Sequence, residues 1–168
     1  EQGLINPCLS GLPNDVLENP LMQQIWQDID AEQVWDSHVH LVGTGDSQLN
    51  KENKSVWFNP NMDSYWHPIL KIQKKFYLNG TCAADNSIDQ STVQRMVQLT
   101  AEMPAGFKLM LFAFDWFHDE NGKPNQAHSI FHISNDHAAK IASEHSHYFE
   151  WVASIHPYRA DAVAALER

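Results

Sequence analysis

Residues 107–114 read Phe-Lys-Leu-Met-Leu-Phe-Ala-Phe, apolar at every position but one. A run this short and this continuous is the pattern of a strand buried on both faces, as in a parallel sheet. Parallel neighbours cannot be joined by a tight hairpin; they need crossover connections, usually helical. The rest of the chain therefore has to supply further strands separated by helices. It does so at residues 33–39 and 149–155, each a short apolar-rich segment.

The intervening segments carry helical signals. Asn19-Pro20 reads as an N-cap with proline in the first turn, and Leu21, Ile25, Trp26 and Ile29 recur at helical spacing to about residue 30. A helix is expected over residues 65–78, stopped by Asn79-Gly80, with Lys71, Lys74 and Lys75 on a solvated face. Asp89 reads as the N-cap of a helix through residue 103, and Ser134 as the cap of another to about 145. A last helix begins at Asp161. Residues 41–64 and 115–133 are long, polar and rich in turn formers. Loops of that length in a compact domain are functional or disordered, and Trp57-Phe58 and Trp116-Phe117 are expected to anchor them.

Strand–helix alternation of this kind implies an α/β fold with right-handed crossovers. Two architectures compete, a doubly wound open sheet and a (β/α)8 barrel. Only three units are present where a barrel needs eight, so the expectation is the N-terminal part of a TIM barrel. Residues 1–32 form an arm and helix, and residues 33–168 the first βα units. Such a part is expected not to fold stably alone, since it leaves sheet edges and apolar helix faces uncovered.

Eleven basic and twenty-one acidic residues give a net charge of -10. That opposes nucleic acid and anionic lipid as non-specific partners. No apolar run approaches the roughly 20 residues needed to span a bilayer. With no secretory leader visible, the cytoplasm is the expected compartment. Cys8 and Cys82 are too few for a disulfide framework and are expected as unpaired thiols.

The chemistry concentrates at Asp36-Ser37-His38-Val39-His40. In a strand, residues two apart share a face, so Asp36, His38 and His40 line up together. Two imidazoles there can reach one metal ion. A catalytic zinc takes three protein ligands and keeps a place for water, so His38 and His40 make an incomplete set. The remaining ligands and an acid/base group are expected from outside this chain. Gly43-Thr44-Gly45 fails the dinucleotide fingerprint, because Gln48 stands where its last glycine belongs. Asp115 and His118 after the second parallel strand, and His156 after the third, are candidates for touching substrate. Local structural roles, Asp115 capping a turn and His156 bonding beside Pro157, fit them equally well. His128, His132, His137, His145 and His147 read as surface histidines.

The Asp-x-His-x-His strand end resembles the first strand of the amidohydrolase superfamily, metal-dependent enzymes on a (β/α)8 barrel. Residues 36–47 (Asp-Ser-His-Val-His-Leu-Val-Gly-Thr-Gly-Asp-Ser), 114–120 and 151–159 are similar to its amidohydrolase-related branch. The resemblance implies that His38 and His40 bind a divalent metal, most often zinc. It also implies a metal-activated water acting on a C–N or C–O bond of a small molecule, with the rest of the barrel supplied by further sequence or another chain. A non-oxidative decarboxylase on the same fold is the near alternative. A non-catalytic, His-rich metal-binding module is the alternative of another class. Substrate identity and oligomeric state, including a homo-oligomer, stay open.

Overall fold

A computed structural model describes residues 6–47 and 55–167 of the chain. In chain order these form α1 (Asn14–Leu17), α2 (Pro20–Trp26), a 3-10 turn (Ala31–Gln33), β1 (Trp35–His40) and β2 (Val56–Phe58). A second 3-10 turn (Pro60–Asp63), α3 (Pro68–Thr81), α4 (Ile88–Ala101), β3 (Lys108–Phe112) and β4 (Phe131–Ile133) follow. The chain then forms α5 (Asn135–Glu144), β5 (Phe149–Val152) and α6 (Ala162–Leu166). The fold is α/β. β1, β3 and β5 build one parallel sheet in that spatial order, with Val39 opposite Leu111 and Leu109 opposite Phe149.

The core lies on one side of this sheet. Leu41, Leu111, Ala113 and Phe149 bury against Val93 of α4 and Ala138 and Ala142 of α5, with Val39, Leu109 and Met96 packed around them. Small residues at i and i+4 let α5 approach the strands closely. Ser134 caps that helix by accepting from the His137 amide at 3.2 Å. The alternate residues of β3, Lys108, Met110 and Phe112, lie on the other side and stay half-exposed. The expectation that residues 107–114 are buried on both faces therefore holds for one face only. The reason is tertiary: among the described residues, the helices packed on the sheet cover a single side. Lys108 Nζ donates to Glu150 Oε1 of β5 at 2.6 Å across the uncovered side.

The two long loops are less irregular than their composition suggests. β2 lies in the first and β4 in the second, and they pair antiparallel, Trp57 opposite His132. The aromatics anchor this ribbon: Phe58 stacks on Phe131 at 5.7 Å and Trp57 meets Trp116 at 4.7 Å. The side chain of Asn59 ties the loops again, donating to Ser129 O at 2.8 Å.

At the N-terminus Asn19 does cap α2, accepting from the Leu21 amide at 2.9 Å. That helix ends at Trp26, whose ring meets Phe107 edge-on at 6.2 Å below β3. Three local expectations are corrected. First, Asn79-Gly80 does not stop α3; the helix runs on to Thr81 and ends at Cys82, which takes a left-handed φ of 53°. Second, Asp89 is not the N-cap of α4. Ser87 holds that place, and Asp89 sits in the first turn with its carboxylate turned to another task. Third, Cys8 and Cys82 are not free: a disulfide joins them across 74 residues and binds the N-terminal arm to the end of α3. Cysteine count carries no information on pairing when the partners meet only through tertiary packing. No helix among the described residues is long and apolar enough to cross a membrane.

Candidate functional site

His38 and His40 end β1, an edge strand of the parallel sheet. The pairing with β3 shifts register between Asp36 and Val39. Such a bulge re-aims the side chains that follow it. Asp36 fixes the turn of the strand by accepting from the His38 amide at 3.1 Å. The two imidazoles then converge, Nε2 to Nε2, at 3.0 Å. Phe112 of β3 supports both rings from beneath, at 5.3 Å for His38 and 5.6 Å for His40. Burial, with the His38 ring as a second cause, lowers the His40 pKa below the ordinary histidine value. That favours the neutral form of His40, the form in which an imidazole ligates a metal.

At that distance the two ring nitrogens are within hydrogen-bond reach of one another; two ligands of a single ion would stand about as far apart. With metal–nitrogen bonds of about 2.05 Å, a 3.0 Å separation corresponds to an angle of about 94° at the ion. Adjacent ligands subtend 90–109° in octahedral and tetrahedral shells. Asp36 shares the motif but spends a carboxylate oxygen on the backbone. Among the described residues no group of three or more His, Cys, Asp or Glu side chains is arranged to hold a metal.

The loop after β1 is built by a pair of aspartates that the sequence does not single out together. Asp89 in the first turn of α4 is 6% exposed. Its carboxylate accepts from the amides of Thr44 at 2.7 Å, Gly45 at 3.0 Å and Ser47 at 3.1 Å, and from the Ser47 hydroxyl at 2.7 Å. Burial alone would push its pKa up; the hydrogen bonds outweigh that and hold it below the usual carboxylate value. Asp46 returns the favour, accepting from the Ile88 and Asp89 amides at the start of α4. Gly43 is the close-approach point. A Cβ there would stand 2.6 Å from Asp89 Oδ1 and 2.7 Å from Val56 Cγ1. The Gly-Thr-Gly-Asp-Ser segment is therefore a carboxylate cradle that fixes the chain leaving His40.

Asp115, His118 and His156 are brought together, and the contacts give them structural work. Asp115 follows β3; its side chain accepts from the Trp116 amide at 2.8 Å, the His156 amide at 3.0 Å and Arg159 Nη1 at 3.3 Å. His118 is buried and its Nδ1 pairs with Trp116 O at 2.8 Å. Its ring lies 5.3 Å from that of His156, whose Nδ1 accepts from the Tyr158 amide. Arg159 completes this knot, clamping both Asp115 and Asp161.

His132 is a correction to the reading of surface histidines. It lies in β4, 7% exposed, its ring stacked on Trp116 at 4.2 Å, and its Nδ1 is buried without a partner. Burial lowers its pKa to about 4; Asp115 and the Phe114 carbonyl pull the other way and lose. His137 is half-buried with a pKa also lowered, first by burial. His128 and His147 are exposed as expected. The alternation Phe-His-Ile in a three-residue strand is too short to announce burial. Only the pairing of β2 with β4 encloses that histidine.

No family model, curated protein or solved structure matches the chain.

Proposed function

We propose that this chain carries part of the active site of a metal-dependent hydrolase, on the first units of an amidohydrolase-type (β/α)8 barrel. The observation that carries the reading is the convergence of His38 and His40 Nε2 at 3.0 Å, exposed at the C-terminal end of a parallel strand. Barrel enzymes assemble their sites at that end. Sequential strand order and helices on one side of the sheet support the arc of a barrel, with Lys108, Glu150 and Phe112 on its inner side.

His38 and His40 would hold a divalent ion, zinc first among them. Bound, such an ion supplies a water of near-neutral pKa and a polarising charge for a carbonyl. The chain's own contribution is positioning. Phe112 props the rings, Asp36 sets the strand, and the Asp46–Asp89 cradle fixes the exit of β1. The remaining ligands and the proton-handling group come from outside the described residues. Asp115, His118 and His156 serve the reading as scaffolding of the loop after β3, and of the two histidines only the half-buried His156 keeps surface that a substrate could touch. The Cys8–Cys82 disulfide favours an oxidising compartment over the cytoplasm, where thiols are kept reduced.

Elemental analysis of the purified intact protein and of the His38→Ala and His40→Ala variants tests the site. The expected result is near-stoichiometric zinc or a similar ion in the wild type, lost from each variant. The metal-loaded protein, offered small lactones, esters and amides, should then hydrolyse one class. Release of carbon dioxide from carboxylated aromatics would replace the hydrolase by the decarboxylase. Several weak sites indifferent to either substitution would leave a metal-binding module.

A further inference from the structure

We propose that the outer face of α3 is a self-complementary surface on which two copies of this chain dimerise. Tyr65 and Trp66 lead into the helix at 88% and 91% exposed, and Ile69 follows at 80%; Ile72 and Phe76 are each more than half exposed. Ile69, Ile72 and Phe76 stand at i, i+3 and i+7, so they form one stripe along the helix. The amphipathic side of α3 that points inward is a different one, where Tyr77 meets Phe58 and Phe131. The sequence reading placed a lysine face outward here. Instead Lys74 turns to Asp63 at 2.7 Å and Lys71 lies over the Tyr65 ring at 3.4 Å. The outward stripe is left apolar, with Lys75 on its margin.

The occupant is a second copy for two reasons. The first is area. Fractional exposures of this size, applied to side chains of roughly 150–250 Å², give about 700 Å² over Tyr65, Trp66, Ile69, Ile72 and Phe76 together, close to the roughly 800 Å² per partner of a stable interface. The second is register. Two copies of α3 laid antiparallel about a dyad between Ile72 and Gln73 set Ile69 against Phe76 of the second copy. Trp66 then meets the Gly80 end of the second copy. A Cβ at Gly80 would touch nothing, so that end is open. Beside it lies a cleft of about 1220 Å³ bordered by Ile72, Phe76, Leu78 and Cys82. A tryptophan entering a pocket is the usual anchor of an interface. An anionic lipid surface fits less well, because the chain is at -10 and two of the three lysines are engaged.

Sedimentation equilibrium of the intact protein over a range of concentrations should give twice its monomer mass. The double variant Ile69→Asp, Phe76→Asp buries unpaired charge only in the dimer, so it should raise the dissociation constant by roughly 100-fold while leaving the far-ultraviolet circular dichroism unchanged. The single variant Ile72→Cys, being near the dyad, should form a covalent dimer on oxidation. A monomer at all concentrations overturns the proposal, as does a dimer unaffected by the double variant. A monomer that co-sediments with phosphatidylserine vesicles, and does so less after Trp66→Ala, overturns it in favour of a membrane surface.

Discussion

The buried His132 gives the sharpest test of the tertiary structure. In the unfolded chain its pKa is 6.5, and in the fold burial lowers it to about 4. A base whose folded pKa is depressed stabilises the fold fully above the unfolded value and loses that contribution as pH falls through the window from 6.5 toward 4. Below the folded value the loss is complete. Each pH unit within the window costs on the order of 1 kcal/mol, so between pH 7.5 and pH 4.5 the histidine alone removes roughly 2–3 kcal/mol. Asp115 and the Phe114 carbonyl reduce the shift, and Arg159 and His118 enlarge it. His132→Phe keeps a flat ring stacked on Trp116 and removes both the titration and the unpartnered Nδ1. Urea unfolding of both proteins at the two pH values isolates the effect, since every other titrating group is common to both. The wild type should lose roughly 2–3 kcal/mol more than the variant on acidification. Equal losses would refute the burial of a neutral histidine at this position.

Three other outcomes follow from the packing. Reducing Cys8–Cys82 opens a loop of 74 residues, and chain entropy puts its worth at up to about 4.5 kcal/mol; urea midpoints with and without reductant should differ accordingly, and coincident curves would mean the arm contributes nothing. Gly43→Ala forces a methyl against Asp89 and Val56 and should cost about 1–3 kcal/mol, read as a drop in melting temperature. Asp89→Asn removes the charge on which four donors converge and should cost about 2–4 kcal/mol, with faster amide exchange at residues 44–47 as its local sign.

Local pattern is what the sequence carries well. The parallel strands at β1, β3 and β5, the cap at Asn19, the cap at Ser134 and the anchoring role of Trp57, Phe58 and Trp116 were all legible, because each depends on residues a few positions apart, whereas Phe117 stays 44% exposed. The i, i+2 spacing placed His38 and His40 at one strand end, but the register shift between Asp36 and Val39 decides how the rings converge and takes Asp36, opposite Leu109, off the side of His40, opposite Phe112. Meetings across long separations were not legible. Cys8 finds Cys82 only because the arm crosses the end of α3. Asp89 looks like a cap by spacing, yet its carboxylate is claimed by amides more than forty residues earlier. His132 looks like a surface residue until β2 lies beside β4. Composition likewise implied a lysine-covered α3, whereas Asp63 and Tyr65 draw two of those lysines aside and leave isoleucines and a phenylalanine outward. The sequence by itself determined where the three parallel strands and the longer helices lie, since those are set by backbone periodicity. Which faces are covered, which thiols pair and which charges are satisfied was decided only by the tertiary structure, because burial and pairing are properties of neighbours in space.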